Sequence, residues 1–179
     1  MYKILPLTDV VPIFKIYELK DESTWVDDLK DLGNKGEEII SLYFQEKYCV
    51  IPEKQKDYIG YDYKVSINNS HIYLEVKTTD KNHFFMSINE INTAKEKGSD
   101  YKIYFVCLKN KIEGTIYVIE NPFVTLGLNK VFETTNSNDI ARLKIGSIEV
   151  EILNFESFKR IDDEISRAVI KQVMDDSED

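Results

Sequence analysis

The segment YKIYFVCL, residues 101–108, is almost continuously apolar. A half-exposed strand alternates apolar and polar positions, so an unbroken run of this kind suits a strand buried on both faces. Just before it, HFFMSINEINTAKEKG reads as an apolar strand end and then a helix opened by a capping box, Ser87-x-x-Glu90, running through Lys97 and stopped by Gly98. Strand, helix and strand in that order imply a right-handed crossover and some parallel pairing. TIYVIE follows as another strand, halted by Pro122, and a weaker pattern over residues 123–153 suggests further strands. Phe158, Ile161, Ile165, Ala168, Val169 and Val173 mark a C-terminal amphipathic helix.

Upstream, a strand-like run to Leu19 precedes a short helix from Thr24 to Leu32, closed by Gly33. NKGEEIISLYFQEKY then reads as an amphipathic helix of about three turns. Advancing about 100° per residue, Ile40, Tyr43, Phe44 and Tyr48 form one stripe with Glu37 inside it, while Glu38 and Gln45 point to solvent. An acid on the inward side is unusual. Its plain explanation is a first-turn glutamate favoured by the helix dipole.

The chemistry begins in GYDYKVSINNSHIYLEVK, residues 60–77, two strands joined by a tight Asn68-Asn69 turn. Placing Ile67 opposite Ser70 sets Val65 against Ile72, Tyr63 against Leu74 and Tyr61 against Val76, which makes one coherent apolar face. On the other face Asp62 falls opposite Glu75, and Gly60 opposite Lys77. Like charges directly opposed destabilise a sheet, and a hard divalent cation held by oxygen ligands would compensate them. The plain alternative is a solvated Glu75–Lys77 surface pair, with Asp62 merely starting a strand.

No run of roughly 18 or more apolar residues occurs, so neither a membrane span nor a secretory signal is expected. Cys49 and Cys107 sit in apolar surroundings without C-x-x-C spacing and read as reduced core residues of a cytoplasmic protein. With His71 and His83 they match no recognised zinc spacing. The net charge of −9 argues against a nucleic-acid partner until its distribution is considered. Residues 54–111 hold ten lysines against seven acids, so the rest of the chain carries −12. The central excess favours a phosphate-bearing ligand, and the acidic ends read as solvated faces. There is no G-x-x-x-x-G-K-[ST] loop, G-x-S-x-G elbow or H-E-x-x-H motif to support a rival chemistry.

Five pieces together carry a family resemblance: G-x-x-G-E at 33–37, G-Y-D at 60–62, L-E-V-K-T-T at 74–79, F-x-x-S-x-N-E at 84–90 and Y-x-x-Y-x-V at 101–106. The chain resembles the PD-(D/E)-x-K phosphodiesterase superfamily, most closely the branch of the NO VEIN C-terminal domain, with Tyr61 where the superfamily motif has Pro. The resemblance implies an α/β (α+β) class with a restriction-endonuclease-like core, a central mixed β-sheet flanked by helices. Residues 1–32 are then an N-terminal extension packed on the core, 33–122 the nuclease-like core, and 123–179 the strands, helix and acidic tail that complete the same domain. The resemblance also implies a metal-dependent endonuclease that hydrolyses phosphodiester bonds of DNA within a prokaryotic restriction or defence system. Asp62 and Glu75 would hold Mg²⁺ or Mn²⁺ with the Val76 carbonyl, Glu37 would join the metal shell, and Lys77 would orient the attacking water or stabilise developing charge. Nucleic acid is the expected partner, with a protein partner for targeting or a homodimer. The alternative is a catalytically inactive nuclease-fold module that binds nucleic acid or protein, since fold does not settle function.

Overall fold

A computed structural model describes residues 3–4, 14–18, 27–56, 58–109, 113–132 and 147–175. In chain order the elements are β1 (Lys3–Ile4), β2 (Phe14–Glu18), α1 (Asp27–Tyr48), β3 (Glu53–Lys54), β4 (Tyr63–Ile67), β5 (Ser70–Thr79) and β6 (His83–Ser87). They continue with α2 (Ile88–Lys97), β7 (Tyr101–Leu108), β8 (Gly114–Glu120), α3 (Pro122–Thr125), α4 (Leu128–Phe132), β9 (Ser147–Ile152), β10 (Lys159–Ile161) and α5 (Glu164–Asp175).

The central sheet is mixed and six-stranded, in the order β10-β8-β7-β5-β4-β3. Its parallel pair is β5 with β7, joined through β6 and α2; its other neighbours are antiparallel. This is the mixed α/β architecture expected. β7 is buried on both faces because its alternate residues serve two cores. Tyr101, Ile103 and Phe105 pack with β6, β9 and the first turns of α2 and α3, whereas Tyr104, Val106 and Leu108 pack under α1 and α5. Each large apolar side chain so buried contributes about 1.5–3 kcal/mol.

A second, four-stranded antiparallel sheet, β1-β2-β9-β6, was not foreseen as a separate unit. β6 belongs to it because the chain leaves the central sheet after Thr79 and His83 pairs with Glu151 instead. The sheet also brings β2, from the start of the chain, against β9.

Four local expectations need correction. α1 runs unbroken through Gly33 from Asp27 to Tyr48, so Gly33 closes no helix. A mid-helix glycine costs about 1 kcal/mol, which burial of Ile39, Ile40, Tyr43 and Phe44 outweighs. Tyr48, at the end of that stripe, is 46% exposed. From Pro122 as far as Phe132 the described residues form two short helices, α3 and α4, rather than strands; residues 133–146 lie outside the described residues, and β9 follows as a strand. The C-terminal helix starts only at Glu164, where Asp163 Oδ1 accepts the Ser166 N–H at 2.8 Å. Phe158 therefore joins the first core, Ile161 lies in β10, Ala168 is exposed, and Ile170 and Met174 complete the buried stripe. Cys49 is exposed, at φ 54 just past α1, rather than in the core; Cys107 is half-buried and free. The early helix from Thr24 and the acidic tail after Asp175 fall partly or wholly outside the described residues.

Gly36 fixes how α1 crosses the sheet. A Cβ there would lie 1.6 Å from Thr78 Oγ1 and 2.8 Å from Thr78 Cβ, whereas one at Gly33 would meet nothing within 4 Å. Gly36→Ala should therefore lower stability by about 1–3 kcal/mol through overpacking, and Gly33→Ala should raise it by about 0.5–1 kcal/mol. Urea denaturation of both variants checks this, and equal effects at the two positions would contradict the close crossing.

A buried acid cluster beside a lysine-lined cleft

The hairpin forms in the expected register, with Ile67 opposite Ser70, Val65 opposite Ile72 and Tyr63 opposite Leu74. Asn68 and Asn69 both have positive φ, 49° and 64°, as a two-residue turn requires. The ladder stops at Tyr63. Gly60, at φ 88°, bends the chain, so the expected pairs Tyr61–Val76, Asp62–Glu75 and Gly60–Lys77 do not form. Tyr61 turns to the other core and packs edge-on against Tyr73, with ring centroids 5.0 Å apart.

Asp62 is held at this bend on three sides. Its N–H donates to the Leu74 carbonyl and its own carbonyl accepts from the Gln55 N–H, each at 2.8 Å. Its Oδ2 accepts the Val76 N–H at 2.7 Å, so the Val76 contact seen here is an N–H to carboxylate bond. Burial pushes the Asp62 carboxyl up from 3.8 to about 6; the Val76 N–H and Lys77 oppose this, and Glu37 and Glu90 add to it.

Glu75 and Lys77 project from the same face of β5, and neither is a solvated surface group. The Glu75 side chain is 6% exposed and that of Lys77 15%. Lys77 Nζ lies 2.6 Å from Glu75 Oε1 and 2.7 Å from Glu90 Oε2, so one ammonium bridges two carboxylates. Burial raises the Glu75 carboxyl well above its ordinary range; Lys77 draws it down, while Glu90 and Asp62 push it further up. For Lys77, burial favours the neutral amine, but Glu75 and Glu90 outweigh it and hold the ammonium above its ordinary pKa.

From the sequence, Glu90 has first a structural role, as half of a capping box. It fills that role, receiving the Ser87 N–H at 3.2 Å through the same Oε2 that binds Lys77. Tyr101, a strand residue that opens the Y-x-x-Y-x-V piece, donates its buried hydroxyl to the Gly60 carbonyl at 2.9 Å and ties β7 to the bend. Glu90 also closes the F-x-x-S-x-N-E piece at 84–90, but neither signal points to Lys77. Its approach to Lys77 depends on α2 docking beside β5.

Glu37 reaches the neighbourhood from the opposite layer. Its side chain is 22% exposed, with Oε2 2.8 Å from Lys54 Nζ, and its carbonyl accepts the Tyr63 hydroxyl at 3.4 Å. A cleft of about 390 Å³ joins it to Asp62 and is lined also by Lys30, Lys54, Lys56, Asn34 and Tyr61. Glu75 and Lys77 are not among its lining residues.

Asp62, Glu75 and Glu90 set three carboxyl groups against the one ammonium of Lys77 in a largely dry site, a charge of −2 when an incoming cation draws off their protons. A divalent cation fits that deficit and the oxygen donors present, since Mg²⁺ typically takes one or two carboxylates and keeps several waters. Among the described residues, no group of three or more His, Cys, Asp or Glu side chains is gathered closely enough to hold a metal ion by itself. Two carboxylates and water are the donor set available. Among the described residues, no helix is long and apolar enough to cross a membrane.

Residues 36–119 match the family model described as Protein NO VEIN, C-terminal. Two curated relatives from Arabidopsis thaliana are similar over 103 residues, or 52% of this chain: Protein NO VEIN-LIKE at 34% identity and Protein NO VEIN at 33%. The match covers 16% of the first and 4% of the second, a small part of either protein. No solved structure gives a significant match. Glu37, Asp62, Glu75, Lys77, Glu90 and Tyr101 all fall within the family match, so the part of this chain similar to the NO VEIN C-terminal domain contains the whole acid cluster.

Proposed function

We propose that this chain is a metal-dependent nuclease of the PD-(D/E)-x-K type that hydrolyses phosphodiester bonds of DNA. The observation that supports it is the gathering of three acidic side chains, Asp62, Glu75 and Glu90, around the single buried ammonium of Lys77, reached through Asp62 from a cleft lined by three lysines. Asp62 and Glu75 would hold Mg²⁺ or Mn²⁺ together with water, and the Val76 carbonyl and Glu37 would act on the ion through that water. The ion would lower the pKa of a bound water and offset charge at the phosphoryl group. Lys77 places a fixed ammonium where it orients that water or meets developing negative charge. Lys30, Lys54 and Lys56 bind the phosphates on either side. A role in a prokaryotic restriction or defence system, a cytoplasmic location and targeting by a protein partner or a second copy belong to the same proposal.

One observation favours a second reading, a binding module without catalysis: Glu75 is engaged by Lys77 at 2.6 Å and neither lines the cleft. Plasmid, linear and single-stranded DNA incubated with the protein, with and without Mg²⁺ or Mn²⁺, separate the two. The nuclease reading expects cleavage only with a divalent ion, and none by Asp62→Asn. Cleavage in EDTA, or undiminished cleavage by Asp62→Asn, would contradict it; binding without cleavage selects the module.

A further inference from the structure

The loop between β3 and β4 displays a residue that the proposed chemistry leaves unused. Tyr58 is 72% exposed. Single exposed aromatic residues are ordinary, so exposure alone decides nothing. The backbone beneath this one is unusually well held. The Tyr58 carbonyl accepts from Asn89 Nδ2 at 2.8 Å and the Gly60 carbonyl from the Tyr101 hydroxyl at 2.9 Å, while the Thr93 hydroxyl, 3.3 Å from the Ile59 carbonyl, has a nearer acceptor in the Asn89 carbonyl at 2.9 Å. The Ile59 N–H closes a turn onto the Lys56 carbonyl at 3.0 Å. Two of three successive carbonyls are thus fixed by side chains of α2 and β7. A Cβ at Gly60 would lie 2.4 Å from Thr93 Oγ1, so the loop is also packed tightly against α2. Exposed loop tips are usually mobile, yet this one is anchored while its largest side chain stays in solvent.

The neighbours indicate what such a ring meets. Lys56 and Tyr61, on either side of Tyr58 in the chain, both line the cleft that holds Lys30, Lys54 and Asp62. An exposed aromatic ring on a held loop, two residues along the chain from a lysine of that cleft, suits a strand whose phosphates meet lysine and whose bases are unpaired. A duplex keeps its base faces covered by neighbouring pairs. We propose that Tyr58 is a stacking platform for an unpaired base of single-stranded DNA, with the adjoining phosphates following Lys56, Lys54 and Lys30. This deepens the nuclease reading by naming the strand state its cleft takes.

Fluorescence anisotropy in EDTA tests it, using labelled single-stranded DNA and the duplex of the same sequence. Tyr58→Ala should weaken single-strand binding by about fivefold to a hundredfold, the range of one lost stacking contact, and leave duplex binding unchanged. Tyr58→Phe should bind as wild type, and Lys56→Ala should weaken both forms and lower the salt slope by about one. Equal single-strand binding by wild type and Tyr58→Ala would overturn the platform. So would an equal loss on the duplex, or the absence of single-strand binding by wild type. Cleavage with Mg²⁺ on the same preparations keeps the two ideas apart. Tyr58-dependent binding without cleavage supports the platform and removes the nuclease, whereas cleavage with Tyr58-independent binding removes the platform alone.

Discussion

Lys77→Ala is expected to be about 3–5 kcal/mol less stable than wild type in EDTA and to cleave no DNA with Mg²⁺. Its location decides the size of the effect. An exposed ion pair is worth about 0–1 kcal/mol, but Lys77 is 15% exposed and bridges Glu75, 6% exposed, and Glu90, 18% exposed. Removing the ammonium leaves two carboxylates largely dry and facing each other. Loss of activity alone would then be ambiguous, because a poorly folded enzyme is also inactive. The double variant Lys77→Met, Glu90→Gln resolves this by removing one of the stranded charges. It should regain part of the stability and none of the cleavage. Lys77→Arg should fold and remain inactive, since a planar guanidinium does not reproduce a compact ammonium. Chemical denaturation and cleavage are measured on the same samples. A loss below about 1 kcal/mol for Lys77→Ala would return Glu75 and Lys77 to the status of a solvated pair.

Asp62→Asn should move stability in the opposite direction. The Asp62 carboxyl is raised from 3.8 to about 6, chiefly by burial, so the folded state binds its proton more tightly than the unfolded chain does. That contribution is fully present below pH 3.8 and is lost as pH rises through about 6. At pH 8 the ionised carboxylate accordingly costs the metal-free fold about 3 kcal/mol. An asparagine keeps an oxygen for the Val76 N–H and carries no charge. Asp62→Asn should thus be about 3 kcal/mol more stable than wild type at pH 8 in EDTA, with the gain shrinking toward zero near pH 4. Saturating Mn²⁺ should narrow the difference at pH 8 by stabilising wild type. Denaturation at the two pH values checks the sign, and a variant less stable at pH 8 would show that the carboxylate is satisfied without an ion.

These variants probe features that differed in how plainly the sequence displayed them. Local signals held where one element decides the outcome. Asn68-Asn69 set the hairpin register, Ser87 and Glu90 capped α2, and the run from Tyr101 to Leu108 was buried on both faces. Glu75 and Lys77 sharing a face follows from strand alternation alone. The bend before Tyr63 was hidden because Gly60 adopts its positive φ against partners far along the chain, Thr93 and Tyr101. Glu90 was visible as a cap but its bond to Lys77 was not, since that needs α2 set beside β5. Gly33 reads in sequence as a helix stop and Gly36 as an ordinary position of the next helix, yet both lie inside α1. One stands in open space and the other touches Thr78, a difference created only by the docking of α1.

The charge deficit is the centre of this account, and calorimetric titration of the metal-free protein with Mn²⁺ tests it most directly. Wild type should bind the ion, and the double variant Asp62→Asn, Glu75→Gln should give no heat above dilution under the same conditions. Each variant side chain is close to isosteric with the one it replaces, so the comparison changes charge more than shape. Equal affinity of the two proteins for Mn²⁺ would place any metal elsewhere, and an absence of binding by wild type would leave the buried acids without the ion that the account assigns to them.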